Sequence, residues 1–193
     1  MFALKDRLSV VVLTYNRAPE VMRTVQRLAA LPEAPAIIVV DNGSTDGTAA
    51  LVSLSFPTVS VITLARNLGT AGRNAGVLHA KTPYVAFCDD DTWWAAGALV
   101  RAALLFDAFP RIAVLSAHVL VGPEEREDPG CREMAASPLP SAGLPGRAVL
   151  GFMAGACVCR KAAFLNVGGY QPRFFIGGEE ALLALDLATC GWL

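Results

Sequence analysis

"LSVVVLTYNRAPEVMRTVQRLAALPEAPAIIVVD", Leu8 to Asp41, changes its hydrophobic period twice. "LSVVVLTY" (Leu8 to Tyr15) is apolar without alternation, the pattern of a strand covered on both faces. "APEVMRTVQRLAAL" then sets Val21, Val25 and Leu28 on one helical face, with Pro19 suited to a first helical turn. "AIIVVD" returns to the buried-strand pattern. Strand, helix and strand in this order make a βαβ unit, which calls for a parallel sheet with helices on both sides.

The same alternation continues outward. "NGSTDGT" is a turn-rich loop into a short helix. "VSVITL" reads as a third strand, "AGRNAGVLHA" as a helix and "YVAFC" as a fourth strand. "TWWAAGALVRAALLF" reads as a helix and "IAVLSAHVLV" as a further strand. Gly122 to Arg147 is rich in Pro, Gly and charge and reads as a long, mobile surface loop. Beyond it, "AVLGFMAGACVCR" reads as a strand and "KAAFLNVGG" as a short helix. "GEEALLALDLATCG" reads as a helix burying Leu182, Leu185 and Leu187. There is no internal repeat and no second domain, so the expectation is one α/β domain over residues 1–193.

Composition narrows the function classes. Hydrophobic residues make up 54% of the 193 and charged residues 17%, enough for a substantial core and unlike a disordered chain. Sixteen basic and 17 acidic residues leave a net charge of -1, a balance that gives no support to nucleic-acid binding, which usually needs a basic stripe. Mean hydropathy is +0.47, yet Arg101 and Asp107 cut the longest apolar helix, so no stretch reaches the roughly 20 residues of a membrane span. "MFALKDRLS" lacks a signal-peptide core. The expected location is the cytoplasm, at most peripheral at the inner face of the cell membrane. Five cysteines form no C-x-x-C pair and only His79 and His118 accompany them, so reduced, buried thiols are expected and no zinc site.

In such sheets ligands bind beyond the carboxyl ends of the strands. Four polar clusters fall at those ends: "TYNR", "DNGSTDGT", "RNLGTAGRN" and "DDD". The last, Asp89 to Asp91, is the most telling. Neighbouring carboxylates about 5 Å apart repel by about 3 kcal/mol per pair at an effective dielectric of about 20. An extended backbone would point Asp89 and Asp91 one way and Asp90 the other, so the outer two would share a hard cation such as Mg²⁺ or Mn²⁺. The competing reading makes Asp91 or Thr92 the N-cap of the helix that follows. A haloacid-dehalogenase-type phosphatase motif fails because Trp93 occupies the Thr or Val position. "NLGTAGRNAG" fits neither G-x-G-x-x-G nor a P-loop, but it sets Arg73 and Asn74 near a helix start where a diphosphate would meet backbone N–H groups. Asp41 is either the head of an Asx-turn or an acceptor for a nucleobase or ribose. Glu179 and Glu180 suit a helix N-terminus electrostatically, or include a general base. Phe174, Phe175, Trp93 and Trp94 are candidates for core or for stacking on sugar rings.

Taken in order, "VVVLTYNR", "VVDNGSTDGT", "NLGTAGRNAG", "AFCDDD" and "GGYQPRFFIGGEE" resemble the family 2 glycosyltransferases of GT-A fold. The resemblance covers nearly the whole chain apart from the loop at 122–147. It implies a nucleotide-diphosphate-sugar donor across the ends of the first four strands and a saccharide or lipid-linked acceptor, as in cell-envelope polysaccharide synthesis. By that resemblance Thr14 and Tyr15 line the nucleobase side, Asp41 bonds the base, and Asn16, Arg73 and Asp90 belong to the donor site. Asp89 and Asp91 form the D-x-D pair for Mg²⁺ or Mn²⁺, with Asp91 the favoured direct ligand. The acidic pair that holds the family's base is here Glu179–Glu180, which leaves the base open between the two, Glu180 being the closer match. Inversion at the anomeric carbon is the implied outcome; the alternative is a remnant that binds nucleotide-sugars without turnover. Family members commonly continue past a pair like Gly191–Trp192 and carry a late metal-binding histidine there. The resemblance therefore implies a C-terminally incomplete catalytic domain, weakly active and open to homo-oligomer formation through exposed apolar surface.

Overall fold

Valine and isoleucine dominate the strands because a doubly covered sheet rewards branched apolar side chains on both faces. In the computed structural model, which describes residues 3–193, this is realised in β1 (Leu8–Thr14) and β2 (Ala36–Asp41). Met1 and Phe2, the start of the stretch examined for a leader, lie outside the described residues. Between the two strands runs α1 (Ala18–Ala29), with Pro19 in its first turn and Val21, Val25 and Leu28 fully buried. The chain continues through α2 (Thr48–Ser55), β3 (Ser60–Thr63), α3 (Arg73–His79), β4 (Tyr84–Asp89) and α4 (Ala98–Ala108). The remaining strands and α-helices are β5 (Val114–Ser116), β6 (Leu120–Val121), β7 (Arg126–Glu127), α5 (Pro129–Ala135), β8 (Cys157–Arg160), α6 (Lys161–Asn166) and α7 (Glu179–Thr189).

Six strands form one sheet in the order β3-β2-β1-β4-β8-β5. The first four are parallel; β8 runs antiparallel to both β4 and β5. Side-chain alternation sorts the interior into two layers. Val10, Val12, Ile37, Val39, Tyr84 and Ala86 face α1, α2 and α4, whose Val25, Val52 and Phe106 close that layer. Val11, Ile38, Val40, Val85 and Phe87 face the other way, toward Val77, Phe164, Tyr170, Leu183 and Leu187. Burying each of these large side chains contributes about 1.5–3 kcal/mol. No helix among the described residues is long and apolar enough to cross a membrane.

Several boundaries differ from the sequence reading. The fourth helix begins at Ala98, after Gly97 in the left-handed region (φ 82°), and not at Thr92. Thr92 instead closes a turn on Asp89, so neither Asp91 nor Thr92 caps a helix. "IAVLSAHVLV" divides into β5 and β6, and "AVLGFMAGACVCR" is strand only over its last four residues. The segment at 122–147 is not wholly irregular. Arg126–Glu127 completes a hairpin with β6, and α5 starts where Asp128 accepts a hydrogen bond from Gly130 N–H at 2.8 Å with Pro129 in the first turn.

The last helix is rotated from its expected phase. Leu183, Ala184 and Leu187 are buried together with Glu179, whereas Leu182 is half-buried and Leu185 exposed. Leucines at 182, 183, 185 and 187 are too dense for period alone to choose a face. Four of the five cysteines are buried, as expected, but Cys190 is exposed.

Candidate active site

Four parallel strands end at one edge of the sheet, and register decides which residues meet there. Thr14 lies opposite Asp41, Asp41 opposite Thr63, and Leu13 opposite Asp89. Asp90, one residue past β4, therefore falls beside Thr14, whose hydroxyl donates to Asp90 Oδ2 at 3.0 Å. Thr24 of α1 donates to the Asp90 carbonyl at 2.8 Å. The backbone turns here, with Thr92 N–H returning to the Asp89 carbonyl at 3.3 Å. The extended alternation expected of Asp89, Asp90 and Asp91 is thus replaced by a turn that buries Asp90 and exposes Asp91.

Two arginines answer the repulsion among the three carboxylates. Arg17 contacts Asp90 through Nε at 3.2 Å and Asp91 through Nη2 at 3.0 Å. Arg73, nearly wholly buried, donates to Asp89. Burial raises the Asp90 carboxyl above its ordinary value, outweighing the Thr14 hydrogen bond and the Arg17 charge, while Asp91 and Asp89 add to the rise. The Asp90 charge in turn is the main cause that raises Arg17.

Asp41 forms the Asx-turn that the sequence offered as one reading and keeps its second carboxylate oxygen unused within the chain. Its Oδ1 accepts from Ser44 N–H at 3.0 Å, as in an Asx-turn. Its Oδ2 is buried and has no partner in the chain, the kind of orphan acceptor that calls for a ligand or a reason. Asn16, at φ 53°, ties the first two strand ends together, since its Oδ1 accepts from Thr45 N–H and its N–H donates to Ser44 Oγ, both at 2.8 Å. Tyr15 beside it is exposed.

Glu179 and Glu180 start α7 but differ in setting. Glu179 is 3% exposed and accepts from Thr70 Oγ1 at 2.5 Å; its other oxygen is buried without a partner. Glu180 is partly exposed. Among the aromatics, Trp93 packs under the Arg27 guanidinium, 3.8 Å from the ring centroid, and Trp94 packs against the α1 side of the core. Phe175 is half exposed and sits at φ 59°. Asp91 and Trp93 line a groove of about 220 Å³ with Glu20, Arg23, Thr24 and Arg27. A larger concavity of about 480 Å³ between β7 and α5 is lined by none of these carboxylates.

Sequence reasoning missed four contributors: Arg17, Thr24, Asn42 and Thr70. Arg17, Asn42 and Thr70 lay inside the quoted clusters, and a buried Asn after a strand end is a usable signal. Asn42 is a hub, donating through Nδ2 to Asn67 Oδ1 at 2.8 Å and the Gly69 carbonyl at 3.0 Å, and accepting from Leu68 N–H at 3.0 Å. Nothing in its cluster singles out Thr70, because its side-chain partner Glu179 lies 109 residues away.

The donor set suits a hard divalent cation in one respect. Asp89 and Asp91 offer carboxylate oxygens at the strand end, and such ions are often held by one or two carboxylates plus substrate phosphates. No group of three or more His, Cys, Asp or Glu side chains converges among the described residues, so any such ion would draw its remaining oxygens from a ligand or water.

Comparison with known proteins bears on this arrangement. The family model described as glycosyl transferase family 2 matches residues 9–170. An N-acetylglucosaminyl-diphospho-decaprenol L-rhamnosyltransferase of Mycobacterium tuberculosis is 28% identical over 232 residues, covering 98% of this chain and 73% of the relative. The uncharacterized glycosyltransferase YwdF of Bacillus subtilis is 34% identical over 101 residues, half of this chain and 37% of its own length. Among solved structures, the mannosyltransferase PcManGT of Pyrobaculum calidifontis, in complex with GDP-Man and Mn²⁺, superposes with a TM-score of 0.71 at 20% identity over 96% of this chain. S. aureus TarS 1–349 in complex with UDP-GlcNAc gives 0.72 at 23% identity over 94%. This chain spans 53% of each of those two structures, and at such identities they show the GT-A fold alone.

Proposed function

Because the chain belongs to glycosyl transferase family 2, we propose that it transfers a sugar from a nucleotide-diphosphate donor to a hydroxyl of a saccharide or lipid-linked acceptor. One observation carries the reading: the unpartnered buried oxygen of Asp41 lies on the same sheet edge as Asp89, Asp90 and Asp91. Asp41 Oδ2 accepts a nucleobase N–H, with Thr14, Tyr15 and Asn16 beside it on the first strand end. Asp91, with Asp89, would hold Mg²⁺ or Mn²⁺. When bound, the ion supplies Lewis-acid stabilisation of the leaving nucleotide. Glu180 takes the acceptor proton, since Glu179 is buried against Thr70. The freed oxygen attacks the anomeric carbon opposite the leaving group, which inverts its configuration. The Mycobacterium relative named for a diphospho-decaprenol substrate favours a lipid-linked acceptor. Such an acceptor would bring the protein to a membrane surface.

Calorimetric titration with UDP, GDP and dTDP, with and without Mn²⁺, tests the donor half. Asp91→Ala is expected to abolish Mn²⁺-dependent binding with an unchanged melting temperature, because its side chain is half exposed at a strand end. Near-normal Mn²⁺-dependent affinity in that variant overturns the assignment. For the transfer half, Glu180→Gln keeps nucleotide affinity while transfer to saccharide or lipid-linked acceptors falls by roughly 10² or more.

A further inference from the structure

The short turn from Gly69 to Asn74 touches three parts of the site at once. Its Gly69 carbonyl is held by Asn42, at the end of β2. Arg73 reaches Asp89, at the end of β4. Asn74 binds Tyr170 in both directions, donating to its carbonyl at 2.8 Å and accepting from its N–H at 3.0 Å. Thr70 makes two contacts with the segment that leads into α7. Its N–H donates to the Phe175 carbonyl at 2.8 Å, and its hydroxyl donates to Glu179.

This contact is built backbone against backbone. Gly69 has φ 62°, and a Cβ placed there would lie 2.0 Å from the Phe175 carbonyl oxygen. Phe175 has φ 59° and ψ -67° in a γ-turn closed by Ile176 N–H to the Phe174 carbonyl at 2.7 Å. That conformation is strained and persists only where surroundings over-determine it. On the far side, Gly177 and Gly178 take φ 95° and 93°, so little else stiffens the approach to α7. The hydroxyl of Thr70 is the only hydrogen-bond partner of the Glu179 side chain among the described residues.

We propose that Thr70 is a positioning residue that couples the donor end of the site to the start of α7. It does so by holding Glu179, and thereby the neighbouring Glu180, in step with Arg73 and Asp89. The inference rests on the donor reading above. Ligand at Asp89 changes what Arg73 must neutralise. Arg73 stands three residues from Thr70 on one short rigid unit, so that change is passed to Glu179. Coupling of this kind needs a differential interaction at both ends, and the two contacts of Thr70 supply the second one.

Hydrogen exchange tests this without an acceptor. Wild-type protein is titrated with UDP or GDP plus Mn²⁺, and exchange is followed in the peptide spanning residues 175–187. Nucleotide is expected to slow that peptide at least about fivefold. Thr70→Val keeps nucleotide affinity within about twofold of wild type and loses the added protection, and Thr70→Ser retains it. A merely structural role would raise exchange equally with and without nucleotide. If Thr70→Val is too unstable to purify, Glu179→Met, whose side chain offers the Thr70 hydroxyl no oxygen acceptor, carries the same comparison. Retained protection in the broken-contact variant overturns the coupling, as does absence of protection in wild type. Loss of protection together with nucleotide affinity overturns it too, by assigning Thr70 to the donor site. If no nucleotide binds the wild type, the donor reading falls and the coupling with it; binding without protection removes the coupling only.

Discussion

Asp89, Asp90 and Asp91 are adjacent in sequence yet each meets a different environment. Asp89 faces a buried guanidinium, Asp90 is packed between two threonines and Arg17, and Asp91 reaches solvent. That division lets three carboxylates coexist without any one neutralising them all. The cysteines show the same effect of burial more strongly. Desolvation outweighs the Arg73 charge, which favours the thiolates of Cys88 and Cys157, and pushes both up to about 12; it holds Cys159 well above its ordinary value. A raised thiol pKa means the protonated form persists at any pH below it, so these groups stay unreactive at pH 8. Treatment of native protein with a thiol-reactive chromophore at pH 8 is expected to label one cysteine quickly, and Cys190→Ser to remove that fast phase. Denaturant should release all five. Fast labelling of two or more in the native state would contradict the burial assigned here.

At the scale of elements, the test is the phase of α7. Leu183 is buried against Phe164 and Tyr170 in the same layer, whereas Leu185 is 52% exposed. Leu183→Ala should therefore cost about 3 kcal/mol and Leu185→Ala within about 0.5 kcal/mol, read by chemical denaturation. Equal costs would restore the phase expected from sequence. The four parallel strands and the helices between them were legible because each carries a period long enough to read: β1 and β2 are near-continuous valine and isoleucine, and α1 repeats Val21, Val25 and Leu28. The strand ends that gather the site were legible for the same reason. Legibility failed where tertiary context decides. Nothing local says that Thr92 folds back on Asp89 instead of opening a helix, or that a three-residue β5 suffices when β8 lies beside it. Arg17 with Asp91, 74 residues apart, and Thr70 with Glu179 are products of register and topology, so their residue types alone could not announce them.

On the scale of the whole molecule, one sheet separates two apolar layers, and the segment at 137–153 has no regular structure and is almost entirely partly or fully exposed. Limited trypsinolysis is expected to cut first at Arg147 within that segment and to leave the sheet associated, seen as two fragments that co-elute under native conditions. First cleavage at Arg27 or Arg73, both inside the packed layers' helices, would contradict this arrangement.

The place of β8 between β4 and β5 has a consequence for synthesis on the ribosome. Strands β2 to β4 can pair as they emerge, each with a neighbour already made. β5 cannot, because β8, its partner in the sheet, is encoded about forty residues later. At roughly 5–20 residues per second, it waits some seconds with its backbone groups unpaired. During that interval a rival is close by: β4, α4 and β5 form the kind of crossover that commonly sets two strands side by side. Only three residues long, β5 gains little from that premature pairing. Its shortness keeps the slot beside β4 open until the late strand arrives to fill it.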